Sequence, residues 1–270
     1  MSDSNRVLFE IPDEADAFTF SPEHGFSLFL AKRTKTIHFV RHAEGMHNAA
    51  NREAGDDTPV TYSTPGAWKY QDAKLTEAGI QQCLKVRREE LVNVHPELIV
   101  VSPFTRTLQT AHILFGGEST GAPFLVHDDC GERRGKFTCD KRRHKTIIVQ
   151  EIKPLYDYTA DVIDFESFAY ATESDELWTK EREPDDSVTS RAIAMLQWLA
   201  TRPEKEIAVV THSSWLRHLF LSFGEQTVEK DRTQLQRRSG NAEIRSLTLA
   251  MHKGCYPNGH WQRGGETGVV

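Results

Sequence analysis

Four side chains in this sequence have the types and placements needed to bind and move a phosphate-like anion. Arg41-His42 follows the apolar run Thr36-Ile37-His38-Phe39-Val40, Arg106 stands near the start of a helical stretch, and His212 follows the apolar run Ile207-Ala208-Val209-Val210. Each position is one where a strand gives way to a loop or a helix start. There the unpaired N–H groups of a helix's first turn, and its positive dipole end, face an anion. Two guanidiniums and two imidazoles so placed describe a phosphoryl pocket.

The elements that must hold these groups follow from hydrophobic pattern and capping residues. Segment 36–40 reads as a short buried strand, and 51–74, rich in Pro, Gly, Asp and Thr, as an irregular loop. Thr76 caps a helix running toward Pro96, with Ile80, Cys83, Leu84, Arg87 and Leu91 near one face. Leu98-Ile99-Val100-Val101 is the next strand, and Ser102-Pro103 leads into a helix over 105–115. Strand, helix, strand, helix is the signature of a mainly parallel sheet. After a less regular middle with a strand at 124–127, the pattern predicts a helix over 187–200, a strand at 207–210, a helix over 214–223 and a strand at 244–251. The expected fold is a three-layer α/β/α domain with a mainly parallel central sheet and an insertion over the active site. Its expected parts are an amino-terminal arm at 1–34, anchored by Phe18, Phe20, Phe26 and Phe29, a domain at 35–252 with the insertion at about 117–185, and a tail at 253–270.

Composition narrows the function classes. The chain is 38% hydrophobic and 27% charged, ordinary for a globular protein. No apolar run approaches the roughly 18 residues of a membrane helix, and MSDSNR lacks the basic start of a secretory signal, so a soluble cytoplasmic protein is expected. The net charge of −6 opposes nonspecific nucleic-acid binding. One segment departs from that charge: 133–145 holds seven Lys or Arg against the single Asp140. Only Phe137 is available there for base stacking, so a small anionic partner suits it better than nucleic acid. Cys83, Cys130, Cys139 and Cys255 form no C-x-x-C pair, and Cys130, Cys139, His127 and His144 fit no common zinc spacing. His42 and His47 are five apart, not the i, i+4 of a helical metal pair, so neither a metal nor a cofactor is expected.

Four segments in order carry a family resemblance. Val40-Arg41-His42-Ala43-Glu44-Gly45-Met46-His47-Asn48 resembles the Arg-His-Gly signature of the phosphoglycerate mutase-like histidine phosphatases, and Ser102-Pro103-Phe104-Thr105-Arg106-Thr107-Leu108-Gln109-Thr110-Ala111 is similar to their second motif. Leu75-Thr76-Glu77-Ala78-Gly79-Ile80-Gln81-Gln82 and Val210-Thr211-His212-Ser213-Ser214-Trp215-Leu216-Arg217 match two more. Cys139-Asp140-Lys141-Arg142-Arg143 and Asn241-Ala242-Glu243-Ile244-Arg245-Ser246 resemble a plant and fungal branch. One Arg-His pair occurs by chance in most long chains, whereas four ordered motifs do not.

The resemblance implies that His42 attacks phosphorus and is transiently phosphorylated, that Arg41, Arg106 and His212 hold the phosphoryl oxygens, and that Asn48 orients or binds phosphate. Beside two arginines, an imidazole of ordinary pKa about 6.5 is pushed toward its neutral, nucleophilic form. Glu132 is the candidate general acid from its place before the basic segment, with Asp128, Asp129 and Glu44 as alternatives, and Arg133, Arg142 and Arg143 are candidate substrate ligands. Ala43 stands for the usual Gly of the first motif and Ser213-Ser214 for a Gly pair, which is expected to narrow the pocket. The expected activity is hydrolysis of a small anionic phosphomonoester. The alternatives are a phosphoglycerate mutase using the same phosphohistidine, and a noncatalytic phospho-ligand or protein-binding module.

Overall fold

A computed structural model of the chain describes residues 34–116, 121–158, 163–164, 172–223 and 228–250. The elements in order are β1 (Thr34–Arg41), α1 (Met46–Ala54), α2 (Glu77–Glu89), β2 (Leu98–Val101), α3 (Thr105–Phe115), β3 (Phe124–Val126), α4 (Lys145–Tyr158), β4 (Ile163–Asp164), α5 (Asp185–Thr201), β5 (Glu206–Thr211), α6 (Ser213–Leu221), α7 (Glu229–Gln236) and β6 (Ile244–Ala250). The six strands make one sheet in the order β4-β3-β2-β5-β1-β6. All neighbours are parallel except β6, which closes one edge antiparallel to β1.

Residues alternate between the two faces of the sheet, and the alternation builds the layers. Ile99 and Val101 of β2, Ala208 and Val210 of β5 and Val40 of β1 join one apolar cluster with Cys83 and Val86 of α2, Leu108, Ala111, Leu114 and Phe115 of α3, and Ile148, Ile152 and Tyr156 of α4. Their neighbours Leu98, Val100, Ile207, Val209, Ile37 and Phe39 join a second with Val188, Ala192, Met195 and Leu199 of α5 and Trp215, Leu216, Leu219 and Phe220 of α6. Central strands with helices on both faces read as continuous apolar runs because neither face meets water. This is the three-layer, mainly parallel α/β architecture expected from the sequence.

The structure adds helices that the pattern did not signal. Met46–Ala54 is helical where the motif was expected to run into irregular loop, and the loop that follows holds two 3-10 turns, Thr58–Val60 and Ala67–Tyr70. α4 lies within the less regular middle segment with Pro154 inside it. α7 also goes unsignalled, having no buried residue to mark a face. The arm up to residue 33, with its four phenylalanines, the tail at 253–270 and parts of the insertion lie outside the described residues. Among the described residues no helix is long and apolar enough to cross a membrane.

Candidate active site

The carboxyl ends of three adjacent strands, β1, β5 and β2, define the site. Backbone bonds continue past the strand ends: His42 N–H donates to Thr211 O at 2.9 Å and Ser102 N–H to Val210 O at 3.0 Å. These bonds fix His42, His212 and Ser102 side by side where open parallel sheets place their ligands. The His42 and His212 rings lie 5.1 Å apart, edge to face. His212 Nε2 bonds the Ser102 hydroxyl at 2.7 Å, and its Nδ1 has no partner.

His42 Nδ1 lies 2.7 Å from Ala43 O. A carbonyl can only accept, so Nδ1 carries the proton and donates it, leaving Nε2 with a lone pair that could act as a nucleophile. Burial first, then the charges of Arg106 and Arg41 and the neighbouring His47, hold His42 well below the ordinary imidazole value. Burial followed by Arg106 does the same to His212. Burial lowers Arg41 to about 10, which still leaves it charged at neutral pH.

The two arginines are anchored on one side and open on the other. Arg41 Nη1 donates to Ser239 O at 2.8 Å, and its buried Nε has no partner. Arg106 is fully buried; its Nη1 donates to Cys139 O at 2.8 Å, its Nη2 reaches Asp140 Oδ1 at 3.3 Å, and its Nε is unpaired. Buried donors without acceptors are costly and uncommon, and a dianion beside them would remove that cost. Asn48 Oδ1 accepts from Gly45 N at 3.0 Å and from Asn241 Nδ2 at 3.4 Å, so its amide nitrogen is the donor left over.

Glu132 lies across from α6. Its Oε1 accepts from Arg133 N at 2.8 Å and Trp215 N at 3.2 Å, and its Oε2 from Ser214 N at 3.3 Å, so the free amides of a helix's first turn hold it. Of the alternative acids, Glu44 is tied to Arg52 and to the Thr76 hydroxyl; burial pushes its carboxyl up, but those bonds prevail and lower it. Asp128, which burial pushes up, lines a small cavity with Glu132, Pro103, Phe104, Arg134 and Arg142.

The basic segment is dispersed rather than gathered. Arg142 reaches that cavity while its Nη1 donates to Arg143 O at 2.9 Å. Arg133 pairs with Asp185 at 2.7 Å, and Arg143 with Asp72 at 3.1 Å and Glu151 at 2.9 Å. Ala43 is buried within the first apolar cluster, so its methyl packs into the core. Among the described residues no three His, Cys, Asp or Glu side chains are grouped to hold a metal ion.

Several supporting residues escaped the sequence reading. Arg191 donates to the carbonyls of Asp129 at 2.9 Å, Gly131 at 2.7 Å and Glu132 at 2.9 Å, while its Nε meets Glu183 at 3.0 Å. Asp72 caps α3 through Thr105 N and its hydroxyl at 2.8 and 2.7 Å. Asp140 braces Arg106 and takes a 2.7 Å bond from Arg182. These partners are 8 to 62 positions apart in sequence, so no short motif joins them.

Comparison with known proteins places this geometry. A family model described as histidine phosphatase superfamily (branch 1) matches residues 37–254. A phosphoglycerate mutase-like protein of Arabidopsis thaliana is 36% identical over 256 residues, covering 83% of this chain and 88% of the relative. Phosphomutase-like protein 3 of Candida albicans is 32% identical over 194 residues, covering 68% of this chain and 58% of the relative. Among solved structures, a phosphoglycerate mutase from Bacillus anthracis aligns with a TM-score of 0.51 at 14% identity, over 81% of this chain and 89% of that one. A putative alpha-ribazole-5'-P phosphatase from Escherichia coli aligns at 0.50 and 15%, over 80% and 95%. At such identities the solved structures share the fold alone.

Proposed function

Because the chain belongs to the histidine phosphatase superfamily, branch 1, we propose that it hydrolyses a small anionic phosphomonoester through a phosphohistidine on His42. The observation that carries this reading is the buried His42, its Nδ1 proton held by Ala43 O and its ring beside His212 and the unpaired nitrogens of Arg41 and Arg106. In the first step His42 Nε2 gives its lone pair to phosphorus, the P–O ester bond breaks, and the departing oxygen takes a proton from Glu132. In the second, water attacks phosphorus, gives its proton to the Glu132 carboxylate, and the N–P bond breaks to release phosphate. Covalent catalysis divides one difficult displacement into two. Arg41, Arg106, His212 and Asn48 hold the phosphoryl oxygens, where fixed donors and charges contribute most.

The leaving group belongs in the cavity of about 120 Å³ that Glu132 shares with Arg134 and Arg142. Its size favours a small metabolite, and the two guanidiniums favour one with a second anionic group. Arg133 and Arg143 do not line the cavity and are paired instead with Asp185 and with Asp72 and Glu151.

Acid-quenched turnover of wild-type protein on a panel of phosphorylated metabolites is expected to release inorganic phosphate and to trap an acid-labile, base-stable phosphoryl group that His42→Ala does not form. A fully active His42→Ala enzyme would overturn the reading. The mutase-like names of the relatives favour a second reading, in which a sugar acid takes the phosphoryl group in place of water. Rapid interconversion of 3- and 2-phosphoglycerate with a bisphosphate primer would select it. The complete set of His42, Arg106 and His212 disfavours a noncatalytic binding module.

A further inference from the structure

A third imidazole lies in the phosphoryl pocket. His47, in the first turn of α1, is only 6% exposed, and its ring centre is 5.6 Å from that of His42. The charges that bear on it are those of Arg106 and Arg41, the two arginines of the site. Its Nδ1 is buried without a hydrogen-bond partner.

The ring occupies space that a side chain at position 45 would otherwise fill. A Cβ on Gly45 would fall 2.8 Å from His47 Nδ1 and 2.9 Å from Cε1, inside any ordinary contact. The Nδ1 edge of the ring therefore lies flat against Gly45, with no acceptor for a proton there. A buried N–H without an acceptor is rarer and costlier than an unused lone pair, so the proton resides on Nε2. If His47 were packing alone, a phenyl or isobutyl group would fill the site without burying an unpaired nitrogen. An N–H donor held among Arg41, Arg106, His42 and His212 has a different use.

We propose that His47 is a further phosphoryl-binding residue, donating from Nε2 to a phosphoryl oxygen as the group passes onto and off His42. The proposal rests on the phosphoryl-transfer reading of His42. It adds His47 to the donors Arg41, Arg106, His212 and Asn48 around the nucleophilic His42. The third imidazole enters with α1, whose start is fixed by Gly45 and by the Asn48 side chain bonded to Gly45 N.

Three replacements separate binding from packing. His47→Phe keeps the ring and removes both nitrogens. His47→Gln carries an amide N–H about as far out as Nε2, and His47→Asn reaches only the position of Nδ1. The readouts are the affinity for inorganic phosphate by calorimetry, the single-turnover rate of phosphohistidine formation, and the thermal midpoint. His47→Phe and His47→Asn are expected to bind phosphate about tenfold or more weakly, the scale of one hydrogen bond to a charged group, with His47→Gln retaining most of the affinity. The thermal midpoint of His47→Phe should not fall. Wild-type phosphate affinity and phosphorylation rate in His47→Phe would overturn the proposal, as would equal losses in all three variants, which would mark a packing role. Failure of the parent reading is distinct: no phosphohistidine would form on wild type, while weakened phosphate binding by His47→Phe would still identify a phosphate ligand.

Discussion

Glu132 has both carboxylate oxygens on backbone N–H groups, so taking up a proton means giving up part of that support. In the proposed reaction that proton passes to the departing oxygen. Proton delivery matters when the departing oxygen is strongly basic and little when it is a stable phenolate. Glu132→Gln should therefore lose about 10²- to 10⁴-fold in rate on an alkyl phosphate and much less on nitrophenyl phosphate. Equal losses on both esters would make Glu132 a binding or structural residue, and Asp128 would be tested next in the same cavity. In the proposed reaction the charge at phosphorus would be met by Arg41 and Arg106, and prolonged chelation should then leave the turnover rate unchanged. Activity lost to a chelator and restored by zinc or magnesium would contradict that assignment.

At the scale of elements, the start of α2 is pressed against the loop that carries His42. Thr76 accepts from Gly79 N at 2.9 Å, and Thr76 N–H donates to Glu44 O at 2.9 Å. A Cβ on Gly79 would fall 2.2 Å from that same carbonyl oxygen, a contact with backbone that cannot swing aside. Gly→Ala inside a helix ordinarily stabilises by about 1 kcal/mol. Here the clash outweighs that gain, so Gly79→Ala should lower both the urea midpoint and the rate of His42 phosphorylation. A more stable, fully active variant would show that α2 can move away freely. On the other side, Arg191 straps the 129–132 turn that presents Glu132. Its partner Glu183 is pushed up by burial, yet the bonds and charge of Arg191 prevail and bring it to about 2. Arg191→Met removes the charged partner of Glu183, leaving it only the Arg134 N–H and the Ser187 hydroxyl, and should cost about 3–5 kcal/mol. With the turn loosened, the variant should lose more rate on alkyl than on nitrophenyl esters, as Glu132→Gln does. Similar losses on both would mean that the strap serves stability alone.

For the whole molecule, three buried imidazoles tie stability to pH. His42, His47 and His212 are all held below the usual imidazole value, in each case by burial first and then by arginine charge. The unfolded chain binds protons at these positions near pH 6.5 while the folded chain does not. Their contribution is full above that value and falls as pH drops toward the folded values, by up to about 1.4 kcal/mol per pH unit for each imidazole. The urea midpoint should decline from pH 7 to pH 5, and saturating phosphate, which favours the charged imidazoles, should flatten the decline. A midpoint that is level or rising over this range would show that the site opens to water in the folded state.

The sequence by itself determined five of the six strands and the two motif helices, because short-range pattern governs both, and it supplied every residue proposed for the phosphoryl pocket except His47, while the two-residue β4 gave no pattern to read. Apolar runs fixed Leu98–Val101, the Thr76 cap fixed the start of α2, and Thr105–Phe115 needed only its place after Ser102-Pro103. α4 was legible in principle, through Ile148, Ile152 and Tyr156 spaced four apart and all buried, but Pro154 and the basic residues before it masked the stripe. Only the tertiary structure decided which side chains meet. The sequence contains Arg133, Arg142 and Arg143 as one cluster, whereas folding sends Arg133 to Asp185 and Arg143 to Asp72 and Glu151, and brings Arg142 to the wall beside Glu132. The sequence shows His47 as one more histidine, and only the fold lays it against Gly45 beside His42. Secondary structure follows from forces between residues a few positions apart, while ion pairs, burial and unpaired nitrogens depend on which distant segments the sheet brings together.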